Sequence, residues 1–379
     1  MKILFLTYHG FDNGSGISKK MLAQIKGIKQ NGHEVHICSY SISPDGNRCR
    51  YIDNTVLQNF GHNKWASIRH RYDFESVINY CINNHIEMVY ARSYMNASPG
   101  VIHLFKKLKN HGIKSVIEIP TYPYDQELSM LPFEHKVRLI IDKIFRKRLA
   151  KQTDAIVTFS EYHRIFNQRT INISNGVDFD AIPLHKSIDF SKELHIIAVA
   201  EVHPWHGFDR FIEGLGIYYK KNRGCYPQVF FHIVGDVWDS EMYDSKYATG
   251  FSTHIKNYNI EDYVSFHGKL FGNELNKVFE QCSFAVGSLA RHRSGIKTIR
   301  TLKNREYASR GIPFIYSEND PDFDSQPYIL KATPDDTPID INQILRFLRE
   351  HHFEPEEIRK TVEHLSWKVQ MDKVINHII

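Results

Sequence analysis

The same order of elements is written twice along this chain, and a chain built that way has few ways to fold. The first copy opens with an apolar strand, Lys2 to Thr7, followed by a polar, glycine-containing loop from His9 to Gly16. A helix follows, with Ile17, Met21, Ile25 and Ile28 spaced at the period of one helical face. Asn31-Gly32 stops it, and Glu34 to Ser39 reads as the next strand. Met88 to Ala91, Ser115 to Ile119 and Ala155 to Phe159 are further expected strands. The second copy begins with the strand Ile196 to Ala200, the loop Glu201 to Gly207, and a helix with Phe208, Phe211, Ile212 and Leu215 on its apolar face. Val229 to Val234, Val264 to Phe266 and Phe284 to Ser288 continue it as strands, with a helix from Asn273 to Cys282 before the last. Strands alternating with helices describe a parallel sheet covered on both faces. The expected fold class is therefore α/β, with two doubly wound, Rossmann-like domains facing a central cleft. Ligands of such sheets bind beyond the carboxyl ends of the strands.

Turn residues and Pro183 interrupt the pattern between Asn175 and Glu193, which places the domain boundary there. A length of 379 residues suits two cores better than one. No apolar run approaches the ~20 residues of a membrane-spanning helix, and the apolar start is too short for a signal peptide. Five scattered cysteines without CxxC spacing argue for a reducing compartment, so the chain is expected to be cytoplasmic. A formal charge of +5 is mild, and no nucleic-acid signature accompanies it. The 22 histidines are dispersed and form no HExxH set, so no metal site is expected. The two DxD strings, Asp178-Phe179-Asp180 and Asp322-Phe323-Asp324, are set aside as metal sites because one lies at the domain junction and the other in a loop.

The richest stretch for function is 291–315. It reads as a basic loop, a short helix stopped by Gly311, and a buried strand starting at Pro313. Arg291, Arg293, Lys297, Arg300, Lys303 and Arg305 precede Glu306 without one acidic residue between them. A carboxylate accepts from adjacent sugar hydroxyls and clustered cations hold a diphosphate, so this is a candidate nucleotide-sugar pocket. Its alternative is a surface helix with solvated charges.

In order along the chain stand Gly14-Ser15-Gly16, Asn175-Gly176-Val177-Asp178, Gly207-Phe208-Asp209, Ile233-Val234-Gly235-Asp236, Val264-Ser265-Phe266-His267-Gly268, and Glu306 five residues before Gly311. With a Ser366-Trp367 tail, these resemble a family-4 glycosyltransferase of the GT-B fold over nearly the whole chain. Trp205-His206-Gly207 and the string Glu118 to Tyr124 resemble a capsule and exopolysaccharide subgroup. The resemblance implies an N-terminal acceptor domain (1–177), a C-terminal donor domain (178–363), and a tail (364–379) that crosses back to the first. It also implies retaining transfer from a nucleotide-diphosphate sugar, with no cofactor beyond that co-substrate and no obligatory metal. A uridine nucleotide is slightly preferred.

The family pattern is incomplete. Its diphosphate arginine and lysine align with Glu201 and His206, its first glutamate with Thr298, and its histidine with Pro120 or Thr121. One reading moves the cationic work to 291–305, which makes Lys297 and Arg300, with Glu118, the catalytic candidates. Gly14, Gly16, His206, Gly235, Arg293, Lys297, Lys303 and Glu306 are then the nucleotide-sugar candidates. The rival reading is a catalytically silent nucleotide-sugar or glycan-binding partner, and a third is a non-hydrolysing nucleotide-sugar epimerase. Glu118 is open between a substitute polar group and a backbone hydrogen bond. Arg92, Tyr122, Tyr124 and Asp125 are candidates for a saccharide or lipid-linked acceptor. Segment 134–151 carries seven cations against two acids, with Val137, Ile141, Ile144 and Leu149 as an apolar stripe. It reads either as a peripheral contact with an anionic membrane or as a helix packed on its own sheet.

Overall fold

The computed structural model describes residues 1–12, 15–93, 95–125, 133–225, 227–236 and 250–379, with only the backbone at 133–135 and 250. Gly14 lies outside the described residues. The chain divides into two compact units, Met1–Gly176 with Leu365–Ile379, and Val177–His364.

The first unit holds β1 (Lys2–Leu6), β2 (Glu34–Ile42), β3 (Arg48–Ile52), β4 (Thr55–Gly61), β5 (Met88–Arg92), β6 (Lys114–Ile119), β7 (Ala155–Thr158), β8 (Arg164–Ile165) and β9 (Gln168–Asn172). They form one sheet in the order β4-β3-β2-β1-β5-β6-β7-β9-β8. The run from β2 to β9 is parallel. Both edges are antiparallel. β1 is covered on both faces, with Leu4 and Leu6 in one core and Ile3 and Phe5 in the other. That is why its sequence is an unbroken apolar run rather than an alternating one.

Two readings of this unit need correction. β2 does not stop at Ser39 but runs to Ile42 and turns back into β3 and β4. These edge strands mix arginine, asparagine and glutamine with apolar residues, so they carry no continuous apolar signal. The helix Gly16–Gln30 buries Met21, Ile25 and Ile28, but Ile17 in its first turn is 48% exposed. Ser15 caps this helix through the Ser18 N–H, 3.4 Å away.

The tail helix Trp367–Asn376 belongs to the first unit, where Trp367, Met371, Val374 and Ile375 join the core that holds Ile3 and Phe5. Gly176 faces the Trp367 indole so closely that an added Cβ would lie 2.4 Å from the ring. Truncating a buried indole of this kind to alanine costs about 3–5 kcal/mol, the cavity it leaves included.

In the second unit β10 (Glu193–Val199), β11 (Gln228–Val234), β12 (Val264–Phe266), β13 (Phe284–Val286), β14 (Phe314–Tyr316) and β15 (Ile329–Lys331) are ordered β12-β11-β10-β13-β14-β15. All are parallel. Phe208, Phe211, Ile212 and Leu215 pack on Ile196, Ala198, Phe231 and Ile233 as the helical spacing requires. The helix Leu302–Arg310 ends at Gly311, whose φ of 78° completes the stop before β14. Strand order reverses between β10 and β13. The loops that follow these two strands therefore meet at a topological switch point.

Candidate functional site

At that switch point the turn Pro204–His206, after β10, meets the turn Arg291–Ser294, after β13. Leu289 N–H donates to the His206 carbonyl at 2.8 Å, and Ala290 N–H to that of Trp205 at 3.3 Å. Arg293 braces the pair, donating to the Pro204 carbonyl (2.8 Å), to both oxygens of Asp209 (3.0 and 2.8 Å) and to Asp336 (2.8 Å). After β11, Gly235 N–H donates to the Gly268 carbonyl at 2.8 Å. Gly235 has a φ of 127°, and a Cβ there would sit 1.8 Å from the Ala200 oxygen, so no other residue fits.

Lys303, on the helix Leu302–Arg310, brings its ammonium to this place. Its Nζ is buried, lies 5.8 Å from the centre of the Phe208 ring, and has no hydrogen-bond partner among the described residues. Burial and the neighbouring Arg291 guanidinium push this ammonium down into the neutral range, while Glu318 opposes the shift. Glu318 follows β14; it is buried, and neither of its carboxylate oxygens has a hydrogen-bond partner among the described residues. Burial pushes its carboxyl up, against Arg291 and Lys303. His206 is buried as well, with Nδ1 accepting from the His203 N–H at 3.0 Å. Burial, helped by Lys303, Arg291 and His203, holds it well below the ordinary imidazole value and therefore neutral. The arrangement can receive an anion: a buried ammonium and a guanidinium converge where loops leave the carboxyl ends of parallel strands.

The basic run does not act as one cluster. Arg293 is spent on Asp209 and Asp336, and Arg300 lies 3.3 Å from Asp322. Arg305 is buried in ion pairs with Asp320 and Asp322. The carboxylates that pair with the run come from elsewhere in the chain, Asp209 from the helix Phe208–Asn222 and Asp320, Asp322 and Asp336 from beyond β14, pairings that spacing along the sequence cannot show. The second DxD string is thus absorbed, since Asp324 accepts from the Tyr316 hydroxyl (2.6 Å) and Lys331 (2.8 Å). Lys297 is exposed, and Thr298 bridges to Asn319 as a short extension of the sheet. Glu306 accepts from Arg310 at 3.1 and 2.8 Å, one turn along its own helix. Sequence reasoning counted Arg291 among the cations but missed Glu318. The available signal was a carboxylate placed just past a buried strand.

In the first unit Glu118, the residue before the last of β6, has 0% exposure. It accepts from the Tyr90 hydroxyl (2.5 Å) and Gln24 (2.6 Å), and Lys20 Nζ and Arg92 Nε lie 3.3 and 3.8 Å away. Burial alone would raise its carboxyl, but Lys20, Arg92 and the two hydrogen bonds hold it below its ordinary value. Its side chain thus binds neighbouring side chains rather than the backbone. Arg92 Nη1 is buried without a hydrogen-bond partner among the described residues. Gly16 opens the helix Gly16–Gln30 with open space where a Cβ would stand. Tyr122 packs edge-on against Tyr124, Tyr162 and Phe166. Tyr124 donates to Asp142 at 2.6 Å, and Asp125 accepts from Arg146 at 2.7 and 3.1 Å. The polar atoms of Tyr124 and Asp125 are therefore committed to the helix Phe133–Ala150.

That helix splits the stripe read from its sequence. Leu149 is buried and Ile141 half-buried, whereas Val137, Ile140 and Ile144 are 39%, 59% and 60% exposed. Lys136, Lys143 and Lys147 are exposed beside them. Among the described residues no helix is long and apolar enough to cross a membrane.

Over its whole length the chain is similar in fold to sucrose-phosphate synthase from Thermosynechococcus elongatus, with a TM-score of 0.64 at 13% identity over 99% of this chain and 98% of that one. A UDP-forming α,α-trehalose-phosphate synthase from Burkholderia vietnamiensis matches with a TM-score of 0.58 at 11% identity, over 100% and 96% of the chains. A structure described as trehalose-6-phosphate from E. coli, bound with UDP-2-fluoro glucose, matches with a TM-score of 0.58 at 11% identity, over 100% and 99%. No protein-family model matches the chain. No curated protein matches it in sequence. The two Rossmann-like sheets have the GT-B glycosyltransferase fold.

Proposed function

We propose that this chain moves a sugar from a nucleotide-diphosphate sugar to a saccharide or lipid-linked saccharide, with retention and without an obligatory metal, in surface polysaccharide synthesis at the cytoplasmic face of a membrane. The observation that carries the reading is the buried Lys303 ammonium, without a partner among the described residues, beside Arg291 at the switch point of the second unit. A leaving diphosphate gains negative charge as the glycosidic bond breaks, and a fixed cation in a water-poor site stabilises it without an ion. Front-face attack needs no protein base, because the leaving phosphate accepts the acceptor's proton. Lys303 then takes the place given from sequence to Lys297 and Arg300, with Gly235 and His206 shaping the wall. Arg92, through its buried Nη1, is the acceptor contact.

The names of the similar structures include a UDP-forming synthase and a complex with UDP-2-fluoro glucose, which supports a uridine donor. A lipid-linked acceptor suits the exposed Val137, Ile140 and Ile144 with their flanking lysines, as a face that rests on anionic lipid.

Thermal stabilisation by UDP, GDP, ADP and CMP, each with EDTA and with manganese, tests the reading. A metal-independent rise with one nucleotide supports it, and the anomeric configuration of the product then decides retention. No rise with any of the four makes the silent-partner reading the better one.

A further inference from the structure

Resting on the donor reading above, we infer that Lys303, Arg291 and Glu318 form an anion site whose filling draws a proton onto the Lys303–Glu318 pair. Glu318 is the unusual member. A carboxylate beside a site meant for phosphate repels its ligand, yet this one is buried with both oxygens lacking a hydrogen-bond partner among the described residues. Lys303 Nζ is in the same condition. In the empty site Glu318 balances the charge of two cations in a place poor in water. When an anion arrives, that balance is supplied from outside and Glu318 becomes a like charge beside it. The lowest-energy response is to protonate the carboxylate and to keep Lys303 charged. Both groups are already pushed toward neutrality from opposite sides, so the response costs little near neutral pH.

Other groups face the pair, and each has a predictable part. Arg291 lowers both Lys303 and Glu318, and Asp320 raises Glu318. His203 and His206 lie within electrostatic reach of Lys303 and are held low, chiefly by burial. Tyr316, at the end of β14, is held protonated by burial and by its bond to Asp324. Lys331 donates to the Glu318 carbonyl, not to its carboxylate. None of these removes the linkage, but the histidines add a second sink for protons at lower pH. The consequence is an anion affinity that falls as pH rises through neutrality, with Glu318 as the residue that makes it fall.

The test uses the full chain in weakly buffered solution at constant ionic strength, with a pH indicator. Potassium sulfate is the probe, because sulfate holds its charge across roughly pH 6 to 9. UDP-glucose, a diphosphate diester without a titrating group in that range, is titrated in parallel. The expected result is uptake approaching about one proton per bound sulfate near neutral pH, with affinity falling up to about tenfold per pH unit. Glu318→Gln shifts the uptake to lower pH, since Lys303 loses the carboxylate that holds its proton. The double variant K303M/E318Q loses uptake at neutral pH although both histidines remain.

Sulfate binding without proton uptake in the unaltered protein overturns the inference whatever the variants do. So does an absence of sulfate binding, or uptake undiminished in the double variant. Sulfate-linked uptake with no UDP-glucose binding leaves the anion site standing and removes the donor reading. UDP-glucose binding without proton exchange does the reverse.

Discussion

The Nε2 of His232 lies 2.8 Å from the Nδ1 of His195, and the other nitrogen of His232 lies 3.0 Å from the Nε2 of His267. Alternation along the strands brings them together. Leu194, Ile196, Val229 and Phe231 fill the core, so His195 and His232 share the opposite face of β10 and β11. The chain of imidazoles ends on Glu193, 3.2 Å from His195 Nε2. An ionised carboxylate only accepts, so His195 Nε2 carries the proton and its Nδ1 accepts from His232. His232 Nδ1 must then accept from His267. One tautomer, with the proton on Nε2 in all three rings, satisfies every bond, and long-range proton–nitrogen spectra of the imidazoles read it directly.

Burial, with His195 and His267 as neighbours, lowers His232 to about 4. Its unfolded value is about 6.5, so between these values the unfolded chain binds more protons than the folded one. The stability from keeping His232 neutral is therefore complete above that range and drains away as pH falls through it. The slope reaches at most ~1.4 kcal/mol per pH unit for one proton. Denaturant midpoints at pH 7, 6 and 5 should fall more steeply for the unaltered protein than for His232→Gln. Parallel curves would show that the folded state does not hold this ring neutral.

Glu118 offers a test within the first unit. Removing a buried carboxylate leaves Lys20 and Arg92 as unbalanced buried cations. Breaking such a group from one side costs about 3–5 kcal/mol. Glu118→Ala should lose that much in urea unfolding, and Glu118→Gln less, since its amide oxygen still accepts from Tyr90. A loss below ~1 kcal/mol for the alanine variant would mean that water reaches the cluster.

The parallel core strands were legible because doubly covered strands are apolar runs and their helices repeat every three or four residues. The edge strands β3, β4 and β8 were not, because half-exposed edges dilute the apolar signal. At the candidate site the positions were visible but their partners were not. Arg293, Arg300 and Arg305 read as free cations, yet Asp209 reaches them from the helix Phe208–Asn222 and Asp336, Asp320 and Asp322 from loops beyond β14. Glu318 carried only a weak signal, because a single carboxylate after a strand resembles any loop residue. Charge along the sequence locates cations, and only the fold says which of them are spent.

That difference predicts how the basic run divides under substitution. Arg305→Met leaves Asp320 buried without its guanidinium and should cost about 3–5 kcal/mol. Arg300→Ala removes one of the two arginines at Asp322 and should cost less. Lys297→Ala, at an exposed position, should stay within ~0.5 kcal/mol. Thermal unfolding of the three variants orders them. A Lys297 variant as unstable as that of Arg305 would mean that the run folds as one unit.

The helix Phe133–Ala150 carries the last prediction. Ile140 and Ile144 are more than half exposed, so replacing both with serine should leave the melting temperature nearly unchanged. The same pair should matter on a membrane, where their apolar surface enters the boundary beneath the headgroups. Lys143→Ala and Lys147→Ala should each lower binding to phosphatidylglycerol vesicles about fivefold at low salt, since a cation near such a surface contributes about 1 kcal/mol. Raising the salt should erase the lysine effect and leave the isoleucine effect, because screening acts on charge and not on apolar burial. Co-sedimentation across a salt series separates the two. If the unaltered protein does not sediment with anionic vesicles at low salt, the exposed face has some other use and the lipid-side placement fails with it.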